Sequence, residues 1–181
     1  MLSKIIYDPQ EDSFLLVKWV KKHCKNKSVL DMGTGTGILA ETALNHGAKE
    51  VLAVDINSFV INHVKSKGIN AKVSNLFSNV KEKFDLILFN PPYLPENKLE
   101  DKDTKRITTG GKKGYEILDK FLKASQIHLN PKGKILIVFS SLTDRKHINK
   151  TLKSLKFSWK CLETQKLFYE ELYIYLIQRK T

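Results

Sequence analysis

The sequence predicts an alternating α/β fold in which one mostly parallel sheet carries helices on both faces. Three observations predict it. Short apolar runs alternate with amphipathic stretches from Ser28 to Phe139, a glycine-rich turn joins the first run to the helix after it, and two β-rich runs near the C-terminus are separated only by a short turn. Alternating strands and helices imply parallel neighbours joined by right-handed crossovers. The last two runs add an antiparallel hairpin, making seven strands.

In chain order, residues 11–24 form an amphipathic helix with Leu16, Val20 and Cys24 on one face and Leu15 and Trp19 beside them. Ser28–Met32 is a short apolar strand. A helix over 36–45 follows, closed by Gly47. Glu50–Asp55 is the second strand, 58–67 the next helix and 71–74 a brief third strand. Phe84–Phe89 is nearly all apolar, as suits a central strand covered on both faces. Residues 90–113 are a long polar loop rich in Pro, Gly and Lys, and loops of that length in compact domains are usually functional. A helix over 115–129, a buried strand over 134–139, a helix capped by Asp144, and strands over 158–167 and 172–179 complete the chain. No repeat or linker interrupts it, so residues 1–181 read as one domain with a short N-terminal helical extension.

Bulk properties narrow the function classes. With 41% hydrophobic residues the chain can bury a core, and no apolar run approaches the ~20 residues of a membrane span. Met1-Leu2-Ser3-Lys4-Ile5-Ile6 carries no apolar h-region or cleavage site, so a cytoplasmic protein without signal peptide is expected. Cys24 and Cys161 sit in no metal-binding spacing, so no metal site is expected and both thiols read as reduced. The five histidines are scattered singly and read as surface or packing residues. The net charge of +12 is consistent with nucleic acid or a ribosome as a partner. Its lysines are spread along the chain, which favours a solvated basic surface.

Asp31-Met32-Gly33-Thr34-Gly35-Thr36-Gly37 follows the first strand and opens a helix. Glycines let the backbone turn sharply and approach a ligand, and the helix start presents free N–H groups. The spacing is not the dinucleotide one, and Asp31 would repel a pyrophosphate while suiting the ammonium of a methionine moiety. Asp55 ends the second strand about 20 residues further on, where a carboxylate can accept both ribose hydroxyls. Asn75 and Leu76, after the third strand, sit where an adenine ring would lie. These features point to S-adenosylmethionine.

Asn90-Pro91-Pro92-Tyr93 directly follows the fourth strand, which should neighbour the first. An amide or aromatic –NH2 is a poor nucleophile because its lone pair is delocalised. The Asn90 side-chain oxygen and the Pro91 carbonyl can each accept one of its N–H bonds and orient it toward a methyl donor. Pro91 and Pro92 stiffen the turn, and Tyr93 offers an aromatic wall. The motif therefore predicts methylation of a planar nitrogen.

With these residues in view, the chain resembles the HemK-related protein-glutamine methyltransferases of the short archaeal and eukaryotic type. The resemblance rests on Tyr7-Asp8-Pro9-Gln10-Glu11-Asp12-Ser13, the loop from Asp31 to Gly37, Asp55-Ile56-Asn57 and Asn90-Pro91-Pro92-Tyr93, with Gly110, Gly111, Gly114 and Glu116 matching a later glycine segment. It implies a Rossmann-like methyltransferase fold and methylation of the glutamine in the Gly-Gly-Gln tip of a translation release factor. It implies that Ser13, Asp31, Gly33, Gly35, Asp55, Asn75, Leu76 and Asn90 bind the cofactor. It also implies a small zinc-binding activator subunit that extends the sheet at an edge strand, for which the third strand is the expected one. Two positions depart from the family pattern: Asn75 stands where Asp is usual, and Tyr115 where Arg often follows the glycines. The alternative is an adenine-N6 or cytosine-N4 methyltransferase. The same motif serves it, but the chain offers no target-recognition domain, and a paired base would have to be flipped out.

Overall fold

A computed structural model describes residues 6–97, 105 and 107–180. Residues 1–5 of the N-terminal stretch, and 98–104 and 106 within the loop expected over 90–113, lie outside the described residues. The elements are α1 (Glu11–His23), β1 (Ser28–Met32), α2 (Ile38–Asn45), β2 (Glu50–Asp55), α3 (Ser58–Ser66), β3 (Ala71–Val73) and β4 (Phe84–Phe89). After them come β5 (Leu94–Pro95), β6 (Thr109–Gly111), α4 (Glu116–Ser125), β7 (Leu129–Ser140), α5 (Arg145–Ser154), β8 (Phe157–Lys166) and β9 (Glu171–Arg179).

Seven strands form one sheet in the order β3-β2-β1-β4-β7-β9-β8. β1 pairs in parallel with both β2 and β4, β4 pairs in parallel with β7, and β9 runs antiparallel to β7 and β8. This is the expected parallel sheet with a closing antiparallel hairpin. The order reverses direction between β1 and β4, and a crevice opens beyond strand carboxyl ends at such a switch point.

The apolar strands serve two layers at once. Leu30, Ile87, Phe89, Ile135 and Ile137 face a core that includes Leu118, Phe121 and Leu122 of α4 and Ile148 and Leu152 of α5. Val29, Leu86, Leu88, Leu136 and Val138 face the opposite core, with Leu16 and Val20 of α1, Leu39 and Ala43 of α2 and Ile61 and Val64 of α3. Successive side chains of a strand point to opposite faces, so a strand covered on both sides reads as an unbroken apolar run. Each such side chain contributes roughly 1.5–3 kcal/mol by leaving water. Cys24 joins the second core, while Cys161 is half-buried on β8.

Several boundaries differ from expectation for local reasons. α2 starts at Ile38 because Gly37 takes φ 85°, outside the helical region. α4 ends at Ser125, and Gln126–His128 tightens into a 3-10 turn. β7 begins five residues earlier than 134, through a kink where Lys132 has φ 65° and the register against β4 shifts. The loop over 90–113 contains a small parallel pair, β5 with β6. Among the described residues no helix is long and apolar enough to cross a membrane.

Candidate active site

A cleft of about 810 Å3 opens at the carboxyl ends of the parallel strands. Its lining comes from the turns after β1 (Gly33, Thr34, Gly35), β2 (Asp55, Ile56, Asn57), β3 (Ser74, Asn75, Leu76) and β4 (Asn90, Pro91, Pro92, Tyr93). Asp12 and Ser13 of α1 and Leu167, Glu170 and Leu172 of the closing hairpin add to it. The structure thus brings the sequence-predicted residues to one cavity, with Asp31 beneath it.

At one end the walls are made by backbone turns. Gly33 and Gly35 adopt φ 64° and 53°, a region that side chains rarely enter, and a Cβ on Gly33 would lie 3.4 Å from the Phe89 ring. Asp55 accepts the Gly35 N–H (3.3 Å) on one carboxylate oxygen and the Asn57 N–H (2.9 Å) on the other. Burial pushes its carboxyl above the ordinary value, opposed by these hydrogen bonds. Leu76 is half-buried with φ 48°, and the Ser74 hydroxyl donates to its carbonyl at 2.6 Å. Asn75 is exposed, its N–H donating to Ser78 Oγ at 3.0 Å.

Asp31 is fully buried, on the same pleat face as Val29 and under the start of α2. Its Oδ2 accepts from the Thr34 hydroxyl (2.6 Å) and the Ala40 N–H (3.1 Å), while Oδ1 has no partner among the described residues. Desolvation raises its carboxyl to about 7. A buried carboxylate with an unpaired oxygen disposes the loop above it toward a cation. Glycine turns, the Asp55 carboxylate, the apolar Leu76 and Ile56 walls and this buried acid match the parts of S-adenosylmethionine.

At the other end the walls are held by side chains distant in sequence. The Asn90 Nδ2 donates to Ser13 Oγ at 3.1 Å, and the Ser13 hydroxyl donates to Asp12 Oδ1 at 3.2 Å. Asp12 is buried and also accepts from the Ser13 N–H, the Tyr7 hydroxyl (2.9 Å) and the Tyr93 hydroxyl (3.1 Å). A serine hydroxyl has one proton to give, and an ionised carboxylate can only accept. With the Ser13 proton directed at Asp12, Ser13 Oγ must accept from Asn90, which turns the Asn90 Oδ1 away from α1. Among the described residues neither that oxygen nor the Pro91 carbonyl accepts a hydrogen bond. Burial, then the Asp12 charge, holds the Tyr93 phenol far above its ordinary value, so it stays a donor.

The backbone of the motif is fixed from the other side. The buried Thr143 hydroxyl donates to the Tyr93 carbonyl at 2.7 Å. A Cβ on Gly110 would lie 2.6 Å from the Pro92 carbonyl oxygen, and one on Gly114 would overlap the Tyr93 carbonyl oxygen. The later glycine segment is therefore a surface that only glycine can provide. Tyr115, in the position where Arg is often found, stacks on His147 at 3.7 Å between ring centres. Sequence reasoning missed Asp12, Thr143 and Glu170 as individual residues. Asp12 carried a signal, standing beside Ser13 in a stretch that resembles the family; Thr143 and Glu170 carried none.

Fold and cleft together define an S-adenosylmethionine-dependent methyltransferase. The sequence profile of the family described as Methyltransferase small domain matches residues 8–168. A Methanocaldococcus jannaschii chain named as a candidate protein N5-glutamine methyltransferase is 40% identical, covering 93% of this chain and 89% of that one. Mouse methyltransferase HEMK2 is 26% identical over 82% of this chain and 78% of its own length. Among solved structures, that of the E. cuniculi Mtq2–Trm112 complex, responsible for methylation of the eRF1 termination factor, superposes with a TM-score of 0.80 at 25% identity, covering 97% of this chain and 99% of that one. The chain belongs to the methyltransferase small domain family, on its protein-glutamine methyltransferase branch.

Proposed function

We propose that this protein methylates the side-chain amide nitrogen of the glutamine in the Gly-Gly-Gln tip of a class I translation release factor. The observation that carries the reading is the polarity of the Asn90–Ser13–Asp12 chain, which leaves Asn90 Oδ1 beside the Pro91 carbonyl as two acceptors. An amide –NH2 has two N–H bonds to fill them. Held this way, the nitrogen turns its lone pair toward the cofactor end of the cleft. Fixing two reactants in a near-attack geometry can remove ~7–11 kcal/mol of a barrier. The Tyr93 ring walls the planar group. An alkylated amide nitrogen is strongly acidic, so its proton leaves without a strong base.

S-adenosylmethionine, when bound, supplies an electrophilic methyl on a sulfonium. Ser13, Gly33, Gly35, Asp55, Asn75, Leu76 and Asn90 form its walls, with Asp55 accepting the ribose hydroxyls, Asn75 and Leu76 at the adenine, and Asp31 acting from below on the ammonium. The protein works in the cytoplasm as a single domain paired with a small zinc-binding activator subunit. β3 ends the sheet, so its outer edge is open to strand addition, and Val73 on β3 is exposed, as is Phe59 in the first turn of α3.

The test is transfer of labelled methyl to a release factor, to its Gln→Ala variant, and to RNA and DNA in parallel, with and without the activator. Label on the release factor that disappears in the Gln→Ala variant is expected. Label on nucleic acid alone would replace the reading with a nucleobase amine, which the +12 charge also suits.

A further inference from the structure

The turn between β8 and β9 is made of residues that neither turn geometry nor burial requires. Two-residue hairpin turns are usually built from Gly, Asn or Asp. Here Phe168 and Tyr169 occupy the tip, are 90% and 86% exposed, and touch each other edge to face at 4.6 Å. Neither takes a positive φ. The Leu167 N–H donates to the Glu170 carbonyl at 2.8 Å, closing the turn. The residues on either side, Leu167 and Glu170, line the cleft, so the exposed aromatic pair stands between two residues of the active-site wall.

Glu170 gives that wall a polar requirement. Its Oε2 is buried and has no hydrogen-bond partner among the described residues. Glu170 lines the same cleft as Tyr7 and Tyr93 of the reaction end, and its charge adds to what holds their phenols above the ordinary value. A buried carboxylate oxygen requires a donor, and a peptide entering the cleft brings backbone N–H groups. Glycine residues let that backbone approach most closely.

Resting on the release-factor reading, we propose that the β8–β9 tip is the docking element for the protein substrate. Glu170 accepts a backbone N–H from the glycine-rich segment that carries the reacting glutamine, and Phe168 and Tyr169 pack against an apolar patch of the same protein just beyond it. Two exposed aromatics beside a polar anchor are the composition of an interface hot spot.

The test compares wild type, the double variant Phe168→Ser with Tyr169→Ser, and Glu170→Gln on two substrates: the intact release factor and a short peptide containing Gly-Gly-Gln. For the double variant, KM for the intact factor should rise about tenfold or more, while the peptide KM and the cofactor Kd stay at wild-type values. Glu170→Gln should raise KM for both substrates, since its contact lies within the peptide and a neutral amide is a weaker acceptor than a carboxylate. An unchanged melting temperature checks folding. A wild-type KM for the intact factor in the double variant, or for both substrates in Glu170→Gln, overturns the docking role. Absence of transfer to the release factor by the wild type overturns the function reading and this inference with it, whereas transfer with unaltered KM in the variants overturns the docking alone.

Discussion

The cofactor end and the reaction end of this cleft are neighbours in space and opposites in construction. The side-chain bonds that Asp31 and Asp55 accept at the cofactor end reach no more than 20 positions along the chain, as from Asn57 and Gly35 to Asp55. At the reaction end, beside the local bonds of Tyr7 and Ser13 to Asp12, the ties between elements span 77 positions from Asn90 to Ser13, 81 from Tyr93 to Asp12 and 50 from Thr143 to Tyr93. A site made of local turns forms wherever its strands end. A site made of distant side chains depends on helix α1 seating correctly against the sheet. The two ends should therefore fail separately, and substitutions can show whether they do.

The largest effect is expected at the reaction end. Asn90→Ala removes one of the two acceptors and should cut turnover by roughly 10²-fold or more, with a far smaller effect on cofactor affinity because the other walls of that end remain. Calorimetry beside a methyl-transfer assay checks this, and near-normal transfer would show that the polarity of the Asn90 amide is irrelevant. Asp12→Asn comes next. It replaces an all-acceptor group by one with its own donors, so Tyr93 or Ser13 must reverse a bond and the Asn90 amide can turn over. A fall in kcat of about 10- to 100-fold with an unchanged cofactor Kd is expected. A rise in the cofactor Kd alone would mean that α1 serves the other end.

The cofactor end should break in the complementary way. Asp55→Ala should weaken cofactor binding by about 1–3 kcal/mol and leave kcat at saturation largely intact. The smallest effect is expected at Asp31. Its carboxyl is raised to about 7 in the folded protein, chiefly by desolvation, so the stability it contributes is present at low pH and is lost as pH rises through about 7. Asp31→Asn, which keeps an oxygen for the Thr34 and Ala40 donors and cannot ionise, should raise the melting temperature relative to wild type at pH 8 more than at pH 5, worth roughly 1–2 kcal/mol. The cofactor's ammonium favours the ionised acid, so wild-type affinity should climb from about pH 6 to 8 and the variant's should not. Parallel pH profiles for the two proteins would remove Asp31 from cofactor binding.

Some of this was legible in the chain because it is written in adjacent residues. The run Ser28–Met32 with the glycines after it, the acid closing Glu50–Asp55 and the apolar Phe84–Phe89 entering Asn90-Pro91-Pro92-Tyr93 each state a strand and the turn that ends it. That the first and fourth strands are neighbours followed from alternation, because crossover handedness leaves few ways to pack such a chain. The boundary errors arose where one residue's conformation overrides a pattern, as Gly37 does for α2 and Lys132 for β7.

By itself, then, the sequence determined the sheet, the cleft position and the chemistry of the residues that end β1, β2 and β4. Pleat alternation and strand-end turns act over a few residues and need no partner to be read. Only the tertiary structure decided which way each of those groups faces. It turned Asp31 beneath the loop onto α2, made Asp12 the acceptor for Tyr7, Ser13 and Tyr93, and pressed Gly110 and Gly114 against the carbonyls of Pro92 and Tyr93. The physical reason is that a hydrogen bond or a close contact is set by distance and angle in space, and residues 77 positions apart carry no local mark of meeting.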